Sequence, residues 1–153
     1  MAKVTKAQTA QEYRVQKVTA KVIMEVVEGC SHSGLSVKDA AEYVGVSVEY
    51  ARRAVDIATQ FGMPVESSGT YSLAPDVENV AKADEEQKRI IFRKYLQRYE
   101  PIIIFISLLS KGNNPEVAAR KVGVIYAINN GKDNIENMFL EWGRYAGIIE
   151  ESE

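Results

Sequence analysis

Two adjacent arginines, Arg52 and Arg53, are the side chains best suited to recognition chemistry. They fall on the polar side of a helical pattern, where a guanidinium group can donate paired hydrogen bonds to a guanine edge. Neighbouring hydroxyl, amine and hairpin groups could contact phosphates. The candidate DNA contacts are Lys38, Ser47, Tyr50, Arg52, Arg53, Ser68 and Tyr71. This set predicts a surface that binds double-stranded DNA.

A short capped helix is expected to precede the arginines. Ser36 can accept a free backbone N–H at the helix start, and Asp39 favours the positive end of the helix dipole. Gly45 can adopt the positive φ that ends a helix without steric cost. The pattern therefore predicts a first helix that begins at Val37 and ends at Gly45.

The arginines belong to a second helix, which Ser47 caps after a tight turn. Its inward residues are mostly alanines, small enough for two helices to cross closely. Beyond Gly62 the sequence changes to two short strand-like runs on either side of Ser67-Ser68-Gly69, which predicts a hairpin.

The stretch from Leu35 to Pro75 resembles the winged helix-turn-helix superfamily, in the broad style of bacterial MarR-like and Rrf2-like regulators. The helix, tight turn, helix and hairpin carry the resemblance. It implies a mainly α fold with a small β-hairpin wing, in which the second helix is exposed for docking.

Charge argues partly against nucleic acid. The chain has 19 Lys and Arg against 21 Asp and Glu, a net charge of −2, whereas most DNA-binding domains are basic. Glu49 and Asp56 lie on the same helix as the arginines. They could accept from cytosine amino groups, belong to a solvated face or contact a basic protein. A non-catalytic adaptor therefore remains the alternative.

Catalysis has no visible machinery in the sequence. The single Cys30 and single His32 exclude a disulfide within the monomer and leave too few ligands for a Cys- or His-based zinc site. There is no Ser/His/Asp or Cys/His set and no phosphate-binding glycine loop. We expect no enzyme activity, no cofactor and no metal.

The sequence also bears on location. No signal peptide is visible, and the longest apolar run, Ile102 to Leu109, is too short to span a bilayer. The protein is therefore predicted to be cytoplasmic, with no membrane partner.

Gln8 to Gly29 reads as one long amphipathic helix. Two interpretations are open. It is the first helix of the winged unit, or it is a dimer helix, because its apolar stripe is longer than one small domain needs.

The charged segment from Asp76 to Asp84 predicts a junction between tandem winged-helix-like modules, residues 1–80 and 81–153. Beyond it, an apolar stripe runs to Pro101, which breaks or kinks the helix. We assign the isoleucine-rich run after Pro101 to a helix rather than to a central strand.

The remaining elements are predicted from the residues at their ends. Asn114-Pro115 opens the next helix, which is expected to run to Ile128. Asp133 and Glu136 resemble a capping box for the last helix. The final pair Ile148-Ile149 is predicted to form a short edge strand.

A second basic cluster lies on the helix after Asp84. It is either a solvated face or a contact for phosphate or an acidic partner. Its members are Lys88, Arg89, Arg93, Lys94 and Arg98.

The run from Glu141 to Ile149, with the helices from Glu85 onward, is similar to the AAA-associated C-terminal module of nitrate- and sulfonate-type transporter ATPases. This resemblance of residues 85–149 implies a regulatory or interaction module rather than catalysis. Any ATPase would have to be another polypeptide, since the chain has no phosphate loop.

Together these patterns predict a DNA-binding transcriptional regulator that acts as a homodimer, because symmetric dimers double a single recognition helix. The alternative is a protein–protein interaction adaptor or regulatory subunit built on winged-helix modules.

Overall fold

The computed structural model describes residues 12–77, 80–128 and 132–150, except for the side chains of residues 132 and 133. These ranges are mainly helical with one small hairpin, as predicted. The helices are α1 (Ala20–His32), α2 (Val37–Val44), α3 (Val48–Phe61), α4 (Glu85–Leu96), α5 (Glu100–Ser110), α6 (Pro115–Tyr126) and α7 (Lys132–Ala146). The strands are β1 (Pro64–Ser67) and β2 (Thr70–Leu73), and a 3₁₀ turn spans Val80–Lys82.

The predicted caps of α2 and α3 are confirmed. Ser36 Oγ accepts the Asp39 N–H at 3.1 Å, and Ser47 Oγ accepts the Tyr50 N–H at 3.1 Å. Gly45 closes α2 with a φ of 87°, a conformation that glycine adopts without steric cost. The two helices are therefore joined by the tight turn that the sequence predicts.

The hairpin is anchored to the chain before α2. β1 and β2 are antiparallel, with Ser67 opposite Thr70 across a two-residue turn. Leu35 forms an isolated bridge with Tyr71, with N–H to O distances of 2.9 and 2.7 Å. This bridge fixes the hairpin beside α2 and α3.

The predicted long helix from Gln8 to Gly29 is confirmed from Ala20 onward and wrong over residues 12–19. Residues 12–19 are not helical, and α1 begins at Ala20, where Thr19 Oγ1 accepts the Val22 N–H at 3.4 Å. Residues 8–11 lie outside the described ranges. Thr19 was the available signal, since threonine is a favoured N-cap residue.

Distant side chains satisfy the backbone of segment 12–19 in place of a helix. Gln60 accepts the Arg14 N–H at 2.9 Å, and Tyr99 Oη donates to the Arg14 carbonyl at 2.9 Å. Trp142 Nε1 donates to the Val18 carbonyl at 2.8 Å. Because these partners come from both halves of the chain, the segment joins the halves.

The helices of the second half largely follow the prediction. Asp84 and Gln87 form a reciprocal capping box at the start of α4. The run after Pro101 is helical as predicted, and Asn114 caps α6. α6 ends at Tyr126 rather than Ile128, because Ala127 turns to a φ of 55°. The proposed Asp133 cap lies outside the described side chains.

The predicted edge strand at Ile148-Ile149 is wrong. Both N–H groups donate to the Gly143 carbonyl, at 3.0 and 3.2 Å, so the chain folds back over the end of α7. A Cβ on Gly143 would lie 2.4 Å from Ile149 Cδ1, so the glycine makes room for this isoleucine. The apolar pair is therefore covered without forming a strand.

One continuous apolar core spans both halves. Phe61 at the end of α3 meets the rings of Phe92, Tyr99 and Trp142 edge to face, with centroids 5.1 to 5.8 Å apart. Within the predicted junction, Val80 is completely buried. Because one core joins the two halves, it does not separate them into modules. The division near residue 80 stays a prediction.

Candidate nucleic-acid interface

α3 buries its alanine-rich face and presents its first two turns outward. Its buried residues are Ala51, Ala54, Val55, Ile57, Ala58 and Phe61. On the outer face the Arg52 side chain is 61% exposed and the Arg53 side chain 36% exposed. Both guanidinium groups can therefore reach a ligand outside the molecule.

Glu49 lies between the two arginines. Its carboxylate oxygens are 3.7 Å from Arg52 Nε and 3.6 Å from Arg53 Nε. Such exposed pairs contribute about 0–1 kcal/mol, so a phosphate or carboxylate of a partner can replace Glu49 at small cost.

Tyr50 is half-buried and points back toward the start of α1. Its hydroxyl accepts the Thr19 N–H at 3.2 Å, while the Ser47 hydroxyl is occupied by the cap of α3. These two predicted contacts thus make internal hydrogen bonds that fix the ends of α1 and α3.

Arg14 is a cation at this surface that sequence reasoning missed. Its guanidinium group donates Nε to both oxygens of Asp56 at 3.1 and 3.0 Å, and Nη2 to Oδ1. Burial raises the pKa of the Asp56 carboxyl, but hydrogen bonds from Arg14 and Gln16 outweigh it and hold that pKa below its usual value. Asp56 is therefore a paired carboxylate.

Lys17 is brought to the same surface by segment 12–19. Arg53 Nη1 donates to the Lys17 carbonyl at 3.4 Å, and Lys17 itself is exposed. We call Arg14, Lys17, Arg52 and Arg53 the four-cation cluster. No local sequence pattern reveals it, because it depends on the path of segment 12–19.

A groove of about 440 Å³ separates α3 from the hairpin. Arg14 and Arg52 line one part of it, and Glu66 and Tyr71 line another. The carboxylates at this surface are Glu12, Glu49, Asp56 and Glu66, so four cations face four anions, two of which are already paired.

The remaining predicted DNA contacts, Lys38, Ser68 and Tyr71, differ in their exposure. Lys38 is exposed on α2, and Ser68 is exposed at the tip of the hairpin. Tyr71 is half-buried because β2 holds it against Leu35. Lys38 and Ser68 are therefore the accessible members of this group.

The second basic cluster is largely used inside the molecule. Lys88 Nζ lies 3.0 Å from Glu28, which links α4 to α1. Arg89 Nε donates to the Tyr145 carbonyl at 3.2 Å, and Arg93 Nη1 to that of Ala146 at 3.5 Å. These two arginines stabilise the negative end of α7.

The other two members of that cluster lie over a tyrosine. Arg98 stacks on the Tyr95 ring at 4.4 Å and lies 3.6 Å from Asp76. Lys94 lies 5.5 Å from the same ring and is exposed. The geometry does not form one continuous positive patch along α4.

Comparison with protein-family models, with curated proteins and with solved structures finds no match for this chain. In the described ranges, no helix has the length and apolar character needed to cross a membrane.

Proposed function

We propose that this protein is a DNA-binding transcriptional regulator that uses residues 35–75 as a winged helix-turn-helix and acts as a homodimer. The observation that carries the proposal is the exposed outer face of α3, where the four-cation cluster adjoins the hairpin. In a winged helix-turn-helix this helix enters the major groove and the hairpin lies beside it.

Pairing within the surface weakens the objection from acidic residues. Arg14 neutralises Asp56, and Glu49 is held only by exposed contacts longer than 3.5 Å. A DNA phosphate offers the two arginines a stronger charge-assisted contact than Glu49 does. We assign base recognition to Arg52 and phosphate contact to Arg14, Lys17 and Arg53.

Tyr50 and Ser47 have a positioning role in this proposal. Their hydroxyl groups hold the start of α1 and the start of α3, which sets the angle at which α3 is presented. Lys38, Ser68 and Tyr71 remain the proposed contacts at the edges of the surface.

The proposal is tested by replacing the two exposed arginines. Arg52→Ala/Arg53→Ala should abolish binding to random duplex DNA in fluorescence polarisation, with thermal unfolding changed little because both pairs are exposed. Arg120→Ala, an exposed arginine on α6, is the matched control. Equal binding by the double variant and the wild type would refute the proposed surface.

A protein-interaction adaptor is the second candidate, favoured by one observation. Val48 is 42% exposed beside Glu49, so the start of α3 offers an apolar and acidic contact as well as a basic one. An adaptor would show no DNA binding at low salt, and its contact with a partner would be weakened by Val48→Ser.

The second half fits a regulatory role in either case. We retain the division into modules of residues 1–80 and 81–153, placed in the cytoplasm and without enzyme activity. The similarity of residues 85–149 to an ATPase-associated module supports a regulatory role. The burial of Phe61 against Phe92 and Trp142 supports direct coupling between the halves.

A further inference from the structure

α5 is strongly apolar, but the rest of the described chain covers it only in part. Its sequence from Glu100 to Ser110 contains seven Ile, Leu and Phe residues, yet among its residues only Pro101, Ile102 and Phe105 are buried. Ile103 is 38% exposed, and Ile104 and Ile106 are half-buried. A helix of this composition is typical of a buried element, which indicates that another surface covers its outer face.

The outer face of α5 has a defined pattern. Glu100, Ile103, Ser107 and Lys111 follow at intervals of three and four residues, so they lie in one row along the helix and its C-cap. The row begins with a carboxylate, ends with an amine and contains a large apolar and a small side chain between them. Glu100 and Lys111 form no ion pair with each other or with any other residue in the described ranges.

We propose that α5 of a second copy of this chain covers this row in antiparallel orientation. About a two-fold axis near the middle of α5, Glu100 of each copy meets Lys111 of the partner subunit at both ends. Ile103 then packs against the partner subunit's Ser107, where a small side chain lets the helices approach. The row is therefore complementary to itself in charge and in size.

We extend the proposed interface to the last turn of α6. Tyr126 Oη donates to Glu100 Oε2 at 2.8 Å, which places this turn beside the start of α5. In the same turn, Val124 is 78% exposed and Ile125 59% exposed. A stable dimer buries about 1,200–2,000 Å² in total, which requires more than one helix row and therefore a contribution from this turn.

α1 offers no comparable surface to a second copy. Its apolar residues are covered within the same chain, with Ile23, Val26 and Val27 completely buried. The interpretation of the N-terminal pattern as a dimer helix therefore does not hold for α1, and the apolar face of α5 takes that place. This inference builds on the homodimer of the proposed function and specifies its interface.

Sedimentation equilibrium of the full chain tests the proposal. The wild type is expected to dimerise at micromolar concentration, and Ile103→Glu to raise the dimer Kd by about 100-fold, because it buries an unpaired charge. Ile90→Glu on α4 is the matched control, since Ile90 is also exposed, and it should leave the Kd unchanged. Circular dichroism verifies that each variant is folded.

A charge exchange makes the orientation testable. Glu100→Lys should weaken the dimer about tenfold, and Glu100→Lys/Lys111→Glu should restore it, because the antiparallel pair is re-formed with opposite polarity. The interface would be overturned by a wild type that is still monomeric at about 100 µM, since its association would then be very weak. An unchanged Kd for Ile103→Glu would also overturn it.

The outcome is separable from that of DNA binding. A monomeric protein that binds duplex DNA would overturn only the proposed dimer interface. A dimer that does not bind DNA would overturn only the proposed DNA-binding function. If Glu100→Lys weakens the dimer and Glu100→Lys/Lys111→Glu does not restore it, the antiparallel arrangement is overturned.

Discussion

Arg14 and Asp56 form a charged pair in which both oxygens of the carboxylate accept hydrogen bonds from one guanidinium group, across 42 positions of sequence. The pair attaches segment 12–19 to the outer side of α3. It also neutralises a carboxylate on the helix that we propose enters DNA. One contact thus serves both the fold and the electrostatics of the candidate site.

Asp56→Asn is expected to reduce the acid sensitivity of folding. The pKa of Asp56 is lowered in the folded state, so its stabilisation is present above its unfolded pKa of about 3.9 and is lost as pH falls through the folded pKa. The variant should lose about 1 kcal/mol of unfolding free energy at pH 7, and its difference from wild type should shrink toward pH 2. Urea unfolding at several pH values measures this.

Glu49→Gln is the matched control for that experiment. Glu49 is mostly exposed and makes only long contacts with Arg52 and Arg53. Its removal should change stability by less than about 0.5 kcal/mol. A pH-independent difference between Asp56→Asn and the wild type would contradict the role given to the Arg14 pair.

The helix starts could be predicted from sequence because their signals are local. Ser36, Ser47, Asp84 and Asn114 each cap the backbone three residues ahead. The exposed arginines of α3 follow from the same local pattern. Segment 12–19 could not be predicted, since its hydrogen-bond partners, such as Tyr99 and Trp142, lie 85 and 124 positions away.

The candidate site is incomplete in the sequence for the same reason. Arg14 reaches it because segment 12–19 is not helical and runs beside α3, and Tyr50 turns toward the start of α1, where its hydroxyl accepts the Thr19 N–H. The predicted edge strand at Ile148-Ile149 does not form, because Ile149 packs against Gly143 near the end of α7. Each difference comes from tertiary contacts that override local pattern.

Trp142→Phe should test the link between the halves. Trp142 is completely buried and donates to the Val18 carbonyl, which would lose its partner in a buried place. We expect a loss of at least about 2 kcal/mol from the orphaned carbonyl and the reduced packing. Far-UV circular dichroism in urea measures it, because the substitution removes the only tryptophan. Tyr126→Phe, which loses an exposed hydrogen bond, should cost about 0.5 kcal/mol at most.

Ser68→Asn should stabilise the hairpin. Ser68 and Gly69 both have positive φ, at 55° and 82°, the arrangement for which Asn-Gly is the preferred pair. The variant should gain a few tenths of a kcal/mol, roughly 0.3 to 0.5, seen as a higher Tm. Ser67→Asn, one residue earlier in β1, should give no gain; a gain there or a lower Tm for Ser68→Asn would refute the turn assignment.

Cys30 should be unreactive in the folded protein. Burial raises the pKa of its thiol to about 11, so almost no thiolate is present near neutral pH, and the side chain is inaccessible. A thiol reagent at pH 7.5 should label it only after denaturation. Rapid stoichiometric labelling of the native protein would contradict the burial of Cys30 within α1.

The salt dependence of binding to random duplex DNA tests the central claim most directly. If Arg14, Lys17 and Arg53 of the four-cation cluster contact phosphates, log affinity should fall with log salt concentration with a slope of about −3 per protomer, and affinity should be measurable in low salt. Absence of binding at the lowest salt, or an affinity that does not change with salt, would contradict the proposal that α3 and its neighbouring cations form a DNA-binding surface.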